Sequence, residues 1–167
     1  AQSAMKSGLN VKQSEVHGMA QRGGAVLANL RISDGIIASD LIARGTAAML
    51  LSMEPLESLR YLDFLSPDGI LITSKNSVEN IPNYPDLEKL YEQIKTLPDF
   101  RLVDSLSLAR EAGSTLATNM VMVGAASPSL PIEVDIIEDA IKGVFERKGQ
   151  DVIDVHLKAL HLGRKAV

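Results

Sequence analysis

Between Ala47 and Met53 the sequence runs Ala-Ala-Met-Leu-Leu-Ser-Met and then meets Glu54-Pro55. A short apolar run of this kind suits a buried parallel strand, whose two faces are both covered by helices. Proline fits the first turn of a helix, where its missing N–H has no intrahelical bond to make. Leu56, Leu59, Leu62 and Leu65 follow at near-helical spacing, Pro67-Asp68-Gly69 reads as a turn, and Ile70-Leu71-Ile72-Thr73 supplies a second strand. Strand, helix and strand in that order make a βαβ unit, which commits the chain to an α/β fold.

The remaining segments are read against that unit. Ala1 to Ser7 is helix-compatible and closes at Gly8, and Leu9 to Val16 reads as a strand. Ala25 to Ser33 alternates in part, and Asp34-Gly35 before Ile36-Ile37 suggests a hairpin at that point. A polar loop from Ser74 to Pro85 precedes a helix carrying Leu87, Leu90, Tyr91 and Ile94, which stops near Pro98. Phe100 to Val103 is a short strand, with Asp104 or Ser105 capping a helix that ends near Gly113. Thereafter the pattern is helical: Leu116 to Ala126, then Val134, Ile137, Ile141 and Val144 on one face, then Val152, Val155, Ala159 and Leu162. The expectation is one α/β domain over residues 1–167, with a mostly parallel sheet, a hairpin and C-terminal helices. Such domains usually begin with a strand whose following turn is often a ligand site. A helix-first order therefore leads us to expect a first strand and turn that residues 1–167 do not contain.

Composition narrows the function classes. The 167 residues are 46% apolar and 23% charged, enough for one substantial core. Seventeen basic against 21 acidic residues leave a net charge of -4, which argues against nucleic acid as a partner. The chain has no cysteine, so it can hold neither a disulfide nor a cysteine-bound iron–sulfur cluster, and a reducing cytoplasm is the expected setting. The longest uncharged stretch, between Glu111 and Glu133, carries several Ser, Thr, Asn and Pro residues and does not read as a membrane span.

Candidate chemistry gathers in Ser14-Glu15-Val16-His17-Gly18-Met19-Ala20-Gln21-Arg22-Gly23-Gly24. Glycines let backbone N–H groups approach a ligand, and the Arg22 guanidinium presents a planar fork to carboxylate or phosphate. The residues admit two readings, an anion-binding or subunit-contact loop and a plain glycine turn with a solvated arginine. His17 fits either an acid–base role or a structural hydrogen bond. His156 and His161, five apart on one helix, do not share a face, and no metal is assigned. Glu54, at the carboxyl end of a strand, is placed either for a ligand or for the start of the next helix. Asn119 lies in a small-residue helix expected to be buried, where its amide would need a partner from a neighbouring loop or a ligand.

The same Ser14–Gly24 segment resembles the Ser-Glu-Val-His-Gly-Met-x-Gln-Arg-Gly-Gly element of the gamma-type domain of 2-oxoacid:acceptor oxidoreductases, in the form found in the small subunit of indolepyruvate:ferredoxin oxidoreductase. The resemblance continues through Leu30–Ser33, Leu51–Glu57, Asn119–Ala125 and Val155–Leu160. It implies a Rossmann-like gamma domain whose usual first strand and GxGGQG turn are not in this sequence. It further implies a larger partner subunit bearing thiamine diphosphate, Mg and iron–sulfur clusters, with none of these held by this chain alone. The implied reaction is coenzyme A-dependent oxidative decarboxylation of an aryl 2-oxoacid, with ferredoxin reduced indirectly through the partner. On that reading Glu15, His17, Gly18, Gln21, Arg22, Gly23 and Gly24 line the contact with the large subunit near the entry of coenzyme A or substrate. The alternatives are a non-catalytic scaffold, a gamma subunit for another 2-oxoacid such as pyruvate or 2-oxoglutarate, and a free-standing nucleotide-binding domain. A homodimer is compatible with each.

Overall fold

The protein is described from a computed structural model, which covers residues 1–17 and 26–167. Helix α1 (Gln2–Lys6) closes as expected at Gly8, which takes a φ of 76°, a conformation that L side chains rarely adopt. The chain then enters β1 (Asn10–His17), which pairs antiparallel with β2 (Val26–Ser33) along their whole length, from Asn10 opposite Ser33 to His17 opposite Val26. This ribbon is a two-stranded sheet of its own.

β1 and β2 are therefore the strands that pair here, and Asp34-Gly35 does not start a hairpin. After Ser33 the backbone turns away, with the Gly35 amide donating to the Ser33 hydroxyl at 3.0 Å. Residues 34–42 then lie over one face of the ribbon. The Asn10 amide donates to the Gly35 carbonyl (3.1 Å), the Lys12 ammonium to Ala38 O (3.2 Å), and the Arg31 guanidinium to Ser39 O and Leu41 O (3.3 and 3.2 Å). Asn29, buried on this face, accepts from the Ile42 amide at 3.3 Å. Asp34-Gly35 bends the chain, but no strand returns from it, because polar side chains of the ribbon supply the partners of the strap.

The βαβ unit is present. β3 (Ala47–Ser52), α2 (Pro55–Arg60) and β4 (Leu65–Ser74) are followed by α3 (Leu87–Ile94) and β5 (Phe100–Val103), giving a parallel sheet in the order β3-β4-β5. β3 is an edge strand of that sheet and only half-buried, with Leu51 exposed, where the apolar run suggested full burial. The Pro67-Asp68-Gly69 turn is absorbed into β4 as an irregularity, the register stepping from Ala47 opposite Leu65 to Met49 opposite Ile70. Gly69 permits this, because a Cβ there would stand 2.8 Å from the Ala47 carbonyl oxygen. Leu65 consequently belongs to the strand rather than to the preceding helix.

α4 (Ser105–Ala112), α5 (Thr118–Ala126), α6 (Val134–Phe145) and α7 (Gln150–Lys165) complete the chain. α4 ends at Gly113 in the left-handed region, φ 117°. Ile72 and Val103 of the sheet pack with Ala109, Ala117, Val121, Met122, Ala125 and Ala159 in the main core. α6 packs a second cluster of Ile137, Ile141 and Leu160, joined by Val134 and Phe145. Val144, grouped with these by spacing, is exposed, and Phe145 occupies the place it was assigned.

Candidate functional site

In open α/β sheets ligands usually bind at the carboxyl ends of the strands, where helix N-termini offer free N–H groups. Here each of the three helices that follows a parallel strand begins with a carboxylate of the chain itself. Glu54, nearly buried after β3, accepts the Glu57 amide on Oε2 at 2.7 Å and the Tyr84 hydroxyl on Oε1. Burial and the adjoining Glu54 carboxylate raise the Tyr84 pKa well above that of a free phenol, so the hydroxyl stays a donor. Asp86 accepts the Glu88 amide at 2.9 Å at the start of α3, and Asp104 accepts the Ser107 amide at 3.1 Å at the start of α4. Burial opposes ionisation of Asp104, yet hydrogen bonds from Ser107 and Asn76, with the nearby Lys75 charge, outweigh it and hold the carboxyl below its usual range.

Between β4 and α4 the polar side chains also satisfy one another. Asn76 Oδ1 lies within hydrogen-bonding distance of the Ser74 hydroxyl (3.0 Å), the Ser105 hydroxyl (3.1 Å) and the Leu106 amide (2.9 Å), and the two hydroxyls stand 2.8 Å apart. Each serine has one proton to donate, so the pair supplies two of those three hydroxyl contacts at a time. The Leu106 and Ser107 amides in the first turn of α4 are thus occupied by Asn76 and Asp104. An incoming phosphate would meet carboxylates at all three helix starts, and the sheet edge is built to hold its own loops.

The β1–β2 ribbon is different. Paired residues of an antiparallel ribbon point to the same side, and successive residues alternate. Asn10, Lys12, Ser14, Asn29 and Arg31 share the side covered by residues 34–42. Val11, Gln13 and Glu15 share the other side with Val26, Ala28, Leu30 and Ile32. On that side Gln13, Glu15, Val26, Ala28 and Leu30 are exposed, Val26 at 56% and Leu30 at 42%. One face is tied down along Asn10 to Ser14, with Val16 at its end 59% exposed, and the other is exposed and largely apolar, in a ribbon that could not stand alone in water. Glu15 thus lies on the bare face and His17 closes β1 opposite Val26. Gly18, Gln21, Arg22, Gly23 and Gly24 lie outside the described residues.

Asn119 does not join this ribbon. It is exposed in the first turn of α5, where its Oδ1 accepts the Met120 amide at 2.9 Å, so the burial expected from the small residues around it falls on Val121 and Met122 instead. His156 is buried: its Nδ1 lies 2.7 Å from the Val152 carbonyl, which requires the proton on Nδ1, and its ring lies 3.9 Å from that of Phe145. His161 faces Glu138 at 3.2 Å. Among the described residues no three His, Asp or Glu side chains form a metal-binding group, and no helix is long and apolar enough to cross a membrane. Tyr84, Asn76, Lys12 and Arg31 went unnoticed in the sequence: Tyr84 and Asn76 reach partners 28 to 30 residues distant, and Lys12 and Arg31 bond backbone carbonyls, which carry no residue signature.

A parallel sheet backed by helices, with an antiparallel arm set apart from it, is an architecture with solved relatives. The pyruvate oxidoreductase subunit PORC of Thermotoga maritima superposes with a TM-score of 0.71 at 23% identity, over 99% of this chain and 84% of that one. The 2-oxoglutarate:ferredoxin oxidoreductase of Magnetococcus marinus, solved with 2-oxoglutarate, coenzyme A and succinyl-CoA bound, gives 0.74 at 18% identity, over 99% of this chain and 27% of that one. At these identities the likeness establishes the fold alone, an α/β fold shared with those two proteins. The family model for pyruvate ferredoxin/flavodoxin oxidoreductase matches residues 1–166, and the chain belongs to that family. Within it, the indolepyruvate oxidoreductase subunit IorB of Archaeoglobus fulgidus is 36% identical over 172 residues, covering 98% of this chain and 83% of that protein.

Proposed function

We propose that the chain is the small subunit of an indolepyruvate:ferredoxin oxidoreductase, taking part in the coenzyme A-dependent oxidative decarboxylation of indolepyruvate or a similar aryl 2-oxoacid. The near-full-length likeness to an indolepyruvate oxidoreductase subunit carries this reading. Iron–sulfur clusters need thiolates, which this chain lacks, so in this assignment the clusters, thiamine diphosphate and Mg belong to a larger partner subunit that passes electrons to ferredoxin. Absence of cysteine also suits a reducing, cytoplasmic setting.

The chain's own contribution is then the arm. Glu15 to Gly24 line the contact with the large subunit, close to where coenzyme A or the oxoacid enters. Arg22 supplies an anion contact, His17 and Gln21 polar contacts, and Gly18, Gly23 and Gly24 the close approach of backbone. The capped helix starts support this placement, because they leave an acidic ligand poorly served at the sheet edge and argue against a free-standing nucleotide-binding domain. Glu54 is a positioning residue that fixes α2 and the Tyr84 loop.

Purification of the chain from its native host should bring with it a large thiamine- and cluster-bearing subunit, and recombination of the two should restore indolepyruvate-dependent ferredoxin reduction. A chain that purifies alone and turns over a 2-oxoacid unaided would overturn the assignment. In the recombined complex, Arg22→Ala should weaken coenzyme A binding, assembly or turnover; leaving all three unchanged would remove Arg22 from the contact.

A further inference from the structure

The tripeptide Asp-Gly-Ile occurs twice, at residues 34–36 and at residues 68–70. In an Asp-Gly pair the glycine amide nitrogen can close a five-membered ring on the aspartate Cγ, and glycine has no Cβ to hinder the closure. Both copies carry the same latent reaction, and the fold decides which of them can undergo it.

At the second copy the fold holds the reacting atoms apart. Asp68-Gly69 lies inside β4, between the pairing of Leu65 with Ala47 and that of Ile70 with Met49. In an extended strand the side chain stands off one face of the sheet, while the amides lie in the plane of the ladder. Ring closure would rotate the peptide between Asp68 and Gly69. Gly69 is buried, and even a Cβ there would stand 2.7 Å from Leu65 Cδ1 and 2.8 Å from the Ala47 carbonyl oxygen. The rotation therefore requires β4 to part from β3.

At the first copy nothing of the kind is in the way. Asp34, Gly35 and Ile36 are exposed, Ile36 at 99%. They follow Ser33, the last paired residue of β2, so no ladder holds them. Among the described residues the Gly35 amide has the Ser33 hydroxyl as its partner, at 3.0 Å, and nothing bonds the Asp34 carboxylate. The Asn10 amide donates to the carbonyls of Asp34 and Gly35 at 3.4 and 3.1 Å, which fixes the head of the strap without engaging either reacting atom.

We infer that Asp34 is a modification site, at which the head of the strap isomerises to isoaspartate through a succinimide and loosens. The Gly35 nitrogen bonds to Asp34 Cγ, and the protonated carboxyl loses its hydroxyl, which leaves as water with the amide proton. Water then opens the ring at either carbonyl. Opening at the backbone carbonyl leaves the main chain running through the former side chain, one carbon longer, and no atom or electron is gained or lost overall. The longer backbone moves the two carbonyls out of register with Asn10. The site lies away from the bare face of the ribbon and does not depend on the oxidoreductase assignment.

The test incubates the full chain in warm neutral buffer, labels isoaspartate with an isoaspartyl carboxyl methyltransferase and a radioactive methyl donor, and assigns the label by peptide mass spectrometry. Residue 34 should carry roughly tenfold or more the label of residue 68, because a paired strand opens far less often than an unpaired bend moves. In guanidinium chloride the two copies should react at similar rates, since they share the same three residues. Gly35→Ala should lower the label at 34 to the level at 68 with the circular dichroism unchanged. Gly35 takes no positive φ, and a Cβ there would meet the Ser33 hydroxyl at an ordinary 3.7 Å. Isomerised protein should be cleaved within residues 36–42 sooner than fresh protein. Equal or absent label at the two native positions, the same bias in guanidinium chloride, no fall in Gly35→Ala, or equal cleavage of isomerised and fresh protein would each overturn the inference.

Discussion

Gly163 of α7 meets the backbone of α5 at Val121 so closely that a Cβ on the glycine would stand 1.9 Å from the Val121 carbonyl oxygen. Gly124 repeats the arrangement from the other helix, its absent Cβ falling 2.0 Å from the Leu160 carbonyl. The two helices touch backbone to backbone, and Arg164 adds a bond from its guanidinium to the Ser127 hydroxyl at 2.8 Å. A methyl group has no flexible neighbour to displace here. Gly163→Ala and Gly124→Ala should each lower stability by about 2–3 kcal/mol or more, as overpacked sites do, in urea unfolding followed by circular dichroism. Gly143→Ala is the matched control. It lies inside α6 with nothing within 4 Å of a built Cβ, so alanine should stabilise by about 0.5–1 kcal/mol through helix propensity alone. Equal effects at the three positions would refute close helix contact as the cause.

Tyr84 and Glu54 join the long loop after β4 to the start of α2. Tyr84→Phe keeps the ring and strips the donor from a nearly buried carboxylate oxygen, which should cost about 1–3 kcal/mol. The pH dependence has a definite sign. The phenol pKa is higher in the folded than in the unfolded chain, so the stabilisation is complete below the unfolded value of about 10 and declines as pH rises above it. The stability gap between the native chain and Tyr84→Phe should hold from neutral pH to about pH 9 and narrow in more alkaline solution. A gap that widened there would contradict the raised pKa.

The β3-α2-β4 unit, β5 and the ends of α1, α3 and α4 were legible in the sequence because local signals decide them: apolar runs, Pro55 after Glu54, Asp104 before α4, and glycines at Gly8 and Gly113. What escaped local reading depends on distant partners. The β1–β2 pairing matches residues up to 23 apart in sequence, Asn10 with Ser33, and the strap is held by side chains that donate to ordinary carbonyls. Val144 and Phe145 are adjacent and both apolar, so spacing could not choose between them, whereas packing against Leu160 does. In the candidate site, composition singles out Ser14 to Gly24 as a stretch of sequence, whereas only the paired register separates the strapped side of the ribbon from its bare one.

Asp104 offers an acid-side test. Its folded pKa is depressed below the unfolded value of about 3.9, so its stabilisation is fully present above that pH and is lost as pH falls through the lower folded value. Asp104→Ala removes the acceptor of the Ser107 amide and should cost about 1 kcal/mol at neutral pH. Asp104→Asn retains an acceptor and loses the charge, so its deficit should be smaller, should shrink as pH falls through the depressed folded value and should vanish once the native residue is neutral as well. Unfolding midpoints of the three proteins between pH 7 and pH 2.5 would check both statements; an Asn deficit that persisted in acid would remove the charge from the explanation.

The two sides of the ribbon should respond oppositely to substitution. Leu30→Asp and Val26→Asp alter exposed residues on the bare face, so the isolated chain should keep its stability within about 0.5 kcal/mol, as substitutions away from packed features usually do. If that face meets the large subunit, the same substitutions desolvate a carboxylate in an apolar contact and should weaken assembly by roughly tenfold or more, measured by titration calorimetry with the partner. Arg31→Ala, on the strapped face, removes two bonds to the carbonyls of Ser39 and Leu41. It should leave assembly near its native strength while making the 36–42 segment the first site of limited proteolysis, because a segment held by few bonds opens locally before the fold does. If Leu30→Asp assembled as well as the native chain and Arg31→Ala did not, the partner would have to contact the strap, and the bare face would owe its exposure to something other than the large subunit.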